Sequence, residues 1–84
     1  MRIVWDDHKR LTNLKKHHLD FSDLTEDWFE YAISVPARDG REKAVGWFGD
    51  IAIAVIVEPL GTEALAIISM RRARIDEREL LDAG

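Results

Sequence analysis

The 84-residue sequence predicts an α+β domain in which two N-terminal helices and one C-terminal helix pack on an antiparallel sheet. Residues 51–57 form an unbroken apolar run, which is typical of a strand buried on both faces. A set of apolar residues recurs at three- and four-residue steps and indicates a core helix: Leu24, Trp28, Tyr31 and Ala32. Because half of this chain would hold too little apolar surface to fold alone, we expect a single domain over residues 1–84.

The N-terminal half is predicted to contain one strand and two helices. Residues 2–5 alternate between two faces, as a short strand does. Asp6 or Asp7 then caps a helix with a narrow apolar stripe formed by Leu11, Leu14 and His18. The second helix is expected to begin near Ser22, a good N-cap residue, because acidic residues follow where the helix dipole favours negative charge: Asp23, Glu26 and Asp27.

The C-terminal half is predicted to be a three-stranded meander followed by a helix. Residues 33–35 add a little extended structure before a loop at residues 36–40. The meander strands are expected at residues 43–48, 51–57 and 64–70. Gly49 and Asp50 suit a two-residue type II′ turn, because glycine supplies the positive φ, and residues 59–62 form the next turn. A helix over residues 74–82 completes the order β-α-α-β-β-β-α.

Charge is distributed unevenly along the chain, whose formal net charge is -4. A net negative charge disfavours general affinity for nucleic acid. Residues 1–18 nevertheless carry five bases against two aspartates, whereas residues 19–35 carry five acids and no base. A local basic surface can still attract phosphate, although two helices with differently charged solvated faces would give the same pattern.

Composition also restricts compartment and cofactor. With no cysteine, the chain can form neither a disulfide nor a thiolate zinc site. Its longest apolar run is too short to cross a bilayer, and no signal-like segment opens it, so we expect a cytoplasmic protein that does not bind membranes. His8, His17 and His18 lack metal-ligand spacing, and helix capping by His17 or His18 is the simpler reading. We therefore expect no metal and no cofactor.

Three arginines mark the junction between the last strand and the last helix: Arg71, Arg72 and Arg74. Their guanidinium forks could hold a phosphate, although four nearby acids could equally pair with them on the surface. Cleavage of RNA by its own 2′-hydroxyl needs a base, an acid and positive charge at phosphorus. Glu42 and Lys43, on an adjacent strand of the meander, could supply these groups together with the arginines.

Two separated motifs make the chain resemble the BrnT toxins over nearly its full length. The pattern W-D-x-x-K-x-x-x-N-x-x-K-H-G-x-x-F is matched by Trp5, Asp6, Lys9, Asn13, Lys16, His17 and Phe21. The patterns I-I-S-A-R-x-A and E-R are similar to residues 67–73 and to Glu77-Arg78.

The resemblance implies a RelE-like fold and a ribonuclease that halts growth until a ribbon-helix-helix antitoxin binds it. Only the toxin-antitoxin complex would bind its operator DNA. By the same resemblance, Arg71 would hold the phosphate, Glu42 and Lys43 would form an acidic-basic pair, and Glu77 would act from the final helix. RNA-binding residues would be Arg72, Arg74, Lys9 and His17.

Several residues depart from the family pattern. Leu81 stands where relatives commonly carry tyrosine, and it can supply neither a proton nor a polar ring. His18 replaces glycine, Met70 a small residue, and Arg74 a helix-capping threonine. These departures leave two alternatives open: an inactive or non-nuclease interaction module, and toxicity through binding another protein, as in relatives of this fold that act on a topoisomerase.

Overall fold

A five-stranded sheet organises residues 1–83, the part of the chain that the computed structural model describes. Gly84, the last residue of the predicted domain, lies outside the described residues. The strands are β1 (Arg2–Val4), β2 (Ile33–Pro36), β3 (Glu42–Phe48), β4 (Ile51–Leu60) and β5 (Ala64–Arg72). Their order across the sheet is β1-β5-β4-β3-β2, so the first strand lies beside the last.

The helices are α1 (Asp7–His17), α2 (Glu26–Tyr31) and α3 (Ile75–Ala83), with single 3₁₀ turns at Phe21–Asp23 and Arg38–Gly40. Asp6 caps α1, as predicted, by accepting from the backbone N–H of His8 and of Lys9. His18 ends α1 in the left-handed conformation, with φ of 60°, where glycine is the usual residue. No helix within residues 1–83 is long and apolar enough to span a membrane.

The meander of β3, β4 and β5 confirms the predicted core of the sheet. Phe48 pairs with Ile51, so Gly49 and Asp50 form a two-residue turn, and of these two only Gly49 has a positive φ, as a type II′ turn requires. The second turn is shorter than predicted because β4 continues through Leu60. Pro59 is tolerated in β4 because it lies beyond Val57, the last β4 residue that pairs with β3. On that side of β4 no neighbouring strand requires a backbone N–H from Pro59.

The prediction of an all-antiparallel sheet is wrong at one edge. β1 runs parallel to β5, with Arg2 opposite Ala64 and Val4 opposite Ala66. The side-chain pattern of a three-residue strand does not indicate whether it pairs parallel or antiparallel. That direction is decided only when the strand takes its place beside β5 in the folded chain. β2, predicted as a little extended structure, is a genuine strand that pairs antiparallel with β3 and gives an element order of β-α-α-β-β-β-β-α.

The second helix begins later than predicted. Ser22 is not its N-cap; the carboxylate of Asp20 instead accepts from the backbone N–H and the hydroxyl of Ser22, and closes a 3₁₀ turn. Thr25 caps α2, because its Oγ1 atom accepts from the backbone N–H of Trp28 at 3.2 Å. Two competing local caps therefore split one predicted helix into two short segments.

The core lies on the sheet face that the 3₁₀ turn at Phe21–Asp23 covers, whereas α1 lies along the β5 edge. Its buried members are Phe21, Leu24, Ile53, Val55, Val57, Ile67 and Met70. Trp28 and Phe29 pack against this cluster from α2 with their rings edge to face. Tyr31 does not belong to the predicted apolar stripe, because it is 87% exposed on the short helix.

Candidate functional site

Lys43 and Arg71 share the sheet face opposite the core. Lys43 lies across Ile56 from Ser69, and Arg71 follows Ser69 by two residues. Since side chains alternate between the faces of a strand, Lys43, Ser69 and Arg71 project to the same side. The predicted approach of these two cations across the meander is thus present in the structure.

Glu77 joins the two cations from the first turn of α3. Its side chain accepts from Arg71 Nη1 at 2.7 Å and from Arg71 Nη2 at 2.9 Å. The ammonium of Lys43 is 2.8 Å from Oε2, and the backbone N–H of Arg74 donates to Oε1 at 2.8 Å. Glu77 is 1% exposed, so every contact of this buried carboxylate is made within the site.

These contacts fix the charge of Glu77. The hydrogen bonds from Arg71 outweigh the cost of burial and hold the pKa of Glu77 far below its usual range, with help from Arg74 and Lys43. The same pairing raises the pKa of Arg71. Glu77 is therefore ionised throughout the physiological pH range, and it has the properties of a positioning group rather than of a proton donor.

Arg71 keeps donors free for a ligand. A guanidinium has five N–H groups. Two bind Glu77 and a third donates to the backbone carbonyl of Arg72 at 3.3 Å. The N–H on Nε and one on Nη2 have no partner within residues 1–83, and the side chain is 19% exposed. These two donors form the side fork of the guanidinium, the geometry that binds a phosphate in bidentate fashion.

A groove of about 270 Å³ separates α1 from β5. We call it the basic groove; it is lined by His8, Lys9, Lys16 and His17 from α1 and by Ile68 and Ser69 from β5. Partial burial, then the charges of Lys16, Arg71 and His18, lower the pKa of His17. Ser69 lines the basic groove and Arg71 follows it by two residues on the same sheet face, so the basic groove adjoins the Lys43–Arg71–Glu77 cluster.

Asn13 holds the wall of the basic groove in place. Beyond Ala66, β5 no longer pairs with β1. At Met70 the side chain of Asn13 forms hydrogen bonds with the backbone groups at this open edge of β5. Its Nδ2 donates to the carbonyl of Met70 at 2.9 Å, and its Oδ1 accepts from the Met70 N–H at 3.0 Å. Sequence reasoning gave Asn13 only a place in a motif; an asparagine in mid-helix, a poor helix former, was the available signal of a specific contact.

The structure brings only some of the other predicted site residues close to the Lys43–Arg71–Glu77 cluster. Glu42 lies on the opposite sheet face from Lys43 and accepts from the Ser34 hydroxyl at 3.3 Å, so the structure does not bring it to the cluster. Arg74 is exposed beside the cluster, whereas Arg72 pairs with Ile53 and therefore projects to the core face, away from Lys43 and Arg71. Within residues 1–83 neither arginine has an acidic partner within 4 Å. Surface pairing with nearby acids was one of the two alternatives for these arginines, and within residues 1–83 only Arg71 of the three pairs with a carboxylate.

Leu81, which occupies the position of the family tyrosine, lines a different groove. This aromatic groove, formed by Thr25, Asp27, Trp28, Tyr31, Ala32, Gly46, Trp47 and Leu81, has a volume of about 340 Å³. Leu81 lies four residues after Glu77, or roughly 6 Å along the helix axis. In the described part of the chain, no three His, Asp or Glu residues are grouped to hold a metal ion.

Comparisons with known proteins agree with these motifs. Residues 5–77 match the model of the family described as ribonuclease toxin, BrnT, of type II toxin-antitoxin system. The crystal structure of the Brucella abortus ribonuclease toxin BrnT is similar, with a TM-score of 0.83 and 51% sequence identity. That match covers 88% of this chain and 97% of the Brucella chain. No curated protein sequence matches the chain.

Proposed function

Because this chain belongs to the BrnT family of ribonuclease toxins of type II toxin-antitoxin systems, we propose that it is a metal-independent endoribonuclease that cuts cytoplasmic RNA and inhibits growth. Its partner is a ribbon-helix-helix antitoxin, and operator DNA is bound only by the complex. A RelE-like fold is part of the same proposal. The observation that supports it is the pairing of Arg71 and Lys43 on the buried Glu77, beside a groove with two further lysines.

Arg71 and Lys43 stabilise charge at phosphorus. When a 2′-oxygen attacks the neighbouring phosphorus, negative charge builds on the phosphoryl oxygens before the bond to the 5′-oxygen breaks. The departing 5′-oxygen takes a proton from water. The free fork of Arg71 binds the phosphoryl oxygens, and the ammonium of Lys43 adds a second positive charge. Glu77 holds both cations in advance, so no reorganisation is needed in the transition state.

Proton transfer is assigned to the basic groove. His17 lines the basic groove, and its lowered pKa favours the unprotonated imidazole, which accepts the proton of the 2′-hydroxyl. Lys9, Lys16, Arg72 and Arg74 bind flanking phosphates. Within residues 1–83, Lys9 and Lys16 have no acidic partner within 4 Å, so both charges are available to RNA.

Arg71→Ala is the decisive test of this mechanism. We expect cleavage of a fluorescent RNA to fall by about 100-fold or more, the usual effect of removing a donor to a transition-state oxyanion, and growth arrest to be relieved. Arg38→Ala, an exposed arginine in the β2–β3 connection, is the control and retains activity. Wild-type cleavage by Arg71→Ala would remove Arg71 from the mechanism, and loss of cleavage in a chelator would contradict metal independence.

The competing function is a protein-interaction module without catalysis. The full pairing of Glu77 favours it, because an ion cluster of this kind can serve stability alone. RNA that stays intact with stoichiometric pure protein, together with growth arrest that survives Arg71→Ala, would establish the interaction module and exclude the nuclease.

A further inference from the structure

The aromatic groove is not used by the proposed ribonuclease. It lies between α2, β3 and α3, and Trp28 forms part of its wall. The indole Nε1 of Trp28 donates to the carbonyl of Trp47 at 2.8 Å. A Cβ at Gly46 would lie 3.0 Å from the Trp28 ring, so the missing side chain at Gly46 makes room for this wall. The groove is thus a fixed feature of the fold.

Large aromatic side chains stand exposed at the rim of this groove. Trp47 is 45% exposed and Tyr31 is 87% exposed, although both rings would gain free energy by burial. The guanidinium of Arg78 lies 5.2 Å from the centroid of the Trp47 ring and orients it. Exposed tryptophan and tyrosine beside a pocket are the residues that most often dominate protein interfaces.

The α2 side of this rim has the opposite charge to the basic groove, whereas Arg78 stands over Trp47 on the α3 side. Asp27 lines the aromatic groove, and Asp23 and Glu30 are exposed on the same segment. Within residues 1–83 none of these three acids has a basic partner within 4 Å. Residues 19–35 contain no lysine or arginine at all. An RNA phosphate would be repelled here, whereas a basic chain would be attracted.

We propose that the aromatic groove docks a segment of the antitoxin in which an apolar or aromatic anchor residue is flanked by lysine or arginine. A volume of about 340 Å³ admits one or two side chains rather than a folded element. The anchor packs on Trp28, Trp47 and Leu81, and the flanking bases pair with Asp27 and its acidic neighbours. The proposal rests on the proposed function for the identity of the partner as an antitoxin.

Selection from a random dodecapeptide library displayed on phage tests the chemistry of the groove without any need for toxicity. The full chain is the bait, and the probe is the synthetic consensus peptide. We expect a consensus with an apolar anchor and basic flanks, and at least about a tenfold loss of affinity in both Tyr31→Ala and Asp27→Lys. The controls are Leu60→Ala, which truncates another exposed apolar residue, and Glu63→Lys, which makes the same charge change elsewhere; both retain affinity.

Titration with the antitoxin, identified as the protein that suppresses growth arrest by this chain, tests the partner. Tyr31→Ala and Asp27→Lys should weaken the complex by at least about tenfold and leave RNA cleavage intact. Groove variants that bind the antitoxin as the controls do would overturn the proposal. So would a peptide consensus without basic flanks, or an oligoribonucleotide that displaces the peptide from the groove. If the chain cuts no RNA, the proposed function fails while the peptide result still decides the docking chemistry.

Discussion

Glu77 is the residue at which stability and the candidate chemistry meet. Its carboxylate binds two cations from two different strands and also the first free N–H of its own helix. A buried charge of this kind is tolerated only when it is fully paired, and each contact of Glu77 removes part of the desolvation cost. The same contacts keep Arg71 and Lys43 together on one sheet face, so loss of Glu77 would affect folding and RNA cleavage together.

Glu77→Gln should lower the free energy of unfolding at pH 7 by about 2–3 kcal/mol, because it leaves two cations near a neutral amide. The pKa of Glu77 is lowered on folding, so its contribution is complete above the unfolded value of about 4.3 and is lost as the pH falls below it. Urea denaturation of both proteins at pH 7 and pH 3 measures this difference. A difference in free energy of unfolding between the two proteins that is the same at both pH values would contradict the prediction. The control is Glu79→Gln, on the exposed side of α3.

At the scale of elements, α1 depends on one side chain for its position on the sheet. Its apolar stripe is narrow, and Asn13 supplies the two hydrogen bonds that a neighbouring strand would otherwise give to Met70. A third contact, from Nδ2 to the carbonyl of Leu19 at 3.2 Å, fixes the chain after the helix. The position of Lys9, Lys16 and His17 beside Ser69 therefore follows from an amide at the sheet edge.

Asn13→Ala should cost about 2–4 kcal/mol of stability, because it leaves the buried N–H and carbonyl of Met70 without partners. Lys15→Ala, an exposed change on the same helix that lies outside the basic groove, should cost less than about 0.5 kcal/mol. Thermal or urea denaturation compares the two, and equal stabilities would show that α1 is held by its apolar contacts alone.

Helix α3 begins with half of a capping box. Glu77 at the third helical position accepts from the backbone N–H of Arg74, but Arg74 has no side-chain oxygen to return the contact. Arg74→Thr should therefore raise the free energy of unfolding by about 0.5–1 kcal/mol, measured by urea denaturation. Arg74→Ala removes the same charge without adding a cap, so it should not raise the free energy of unfolding. An equal rise in both variants would show that the loss of charge, rather than the cap, is responsible.

For the whole molecule, the significant quantity is the separation of charge rather than the net value of -4. Bases gather where α1 meets β5, and α2 carries Asp27 and Glu30, which have no basic partner within 4 Å in the described part of the chain. These helices pack against different strands, β5 and β3, so one surface suits phosphate and another suits a basic chain. A toxin that binds both RNA and a protein benefits from keeping these two surfaces apart.

RNA binding should weaken with salt in proportion to the phosphates contacted in the basic groove. Replacing Lys9 or Lys16 by alanine should reduce the slope of log affinity against log salt by about 0.7, the value for one phosphate of a single strand. Titration of an uncleavable RNA, with 2′-deoxy at the scissile position, measures this slope over a range of salt concentrations. Lys15→Ala should leave it unchanged, and a slope unaltered in Lys9→Ala and Lys16→Ala would remove the basic groove from RNA binding.

The sequence by itself determined the parts of this protein whose signals are local. The unbroken apolar run at β4, the Gly49 turn and the cap of α1 each depend on residues within a few positions. The first two were predicted correctly, and the cap was predicted as Asp6 or Asp7, of which the structure selects Asp6. Motif spacing likewise indicated the family and pointed to Arg71 and Glu77, and the predicted order of the meander strands pointed to Lys43.

The tertiary structure alone decided which groups meet across long sequence separations. Neither the parallel direction of β1 nor the edge contact of Asn13 with Met70, 57 positions away, has a local signature. The sheet face to which Glu42 projects depended on the register of β3 against β4, which the sequence pattern does not define. The late start of α2 depended on competition between two local caps, at Asp20 and Thr25. Periodicity encodes which side of an element is apolar, whereas partner and direction are fixed only when all elements bury their faces together.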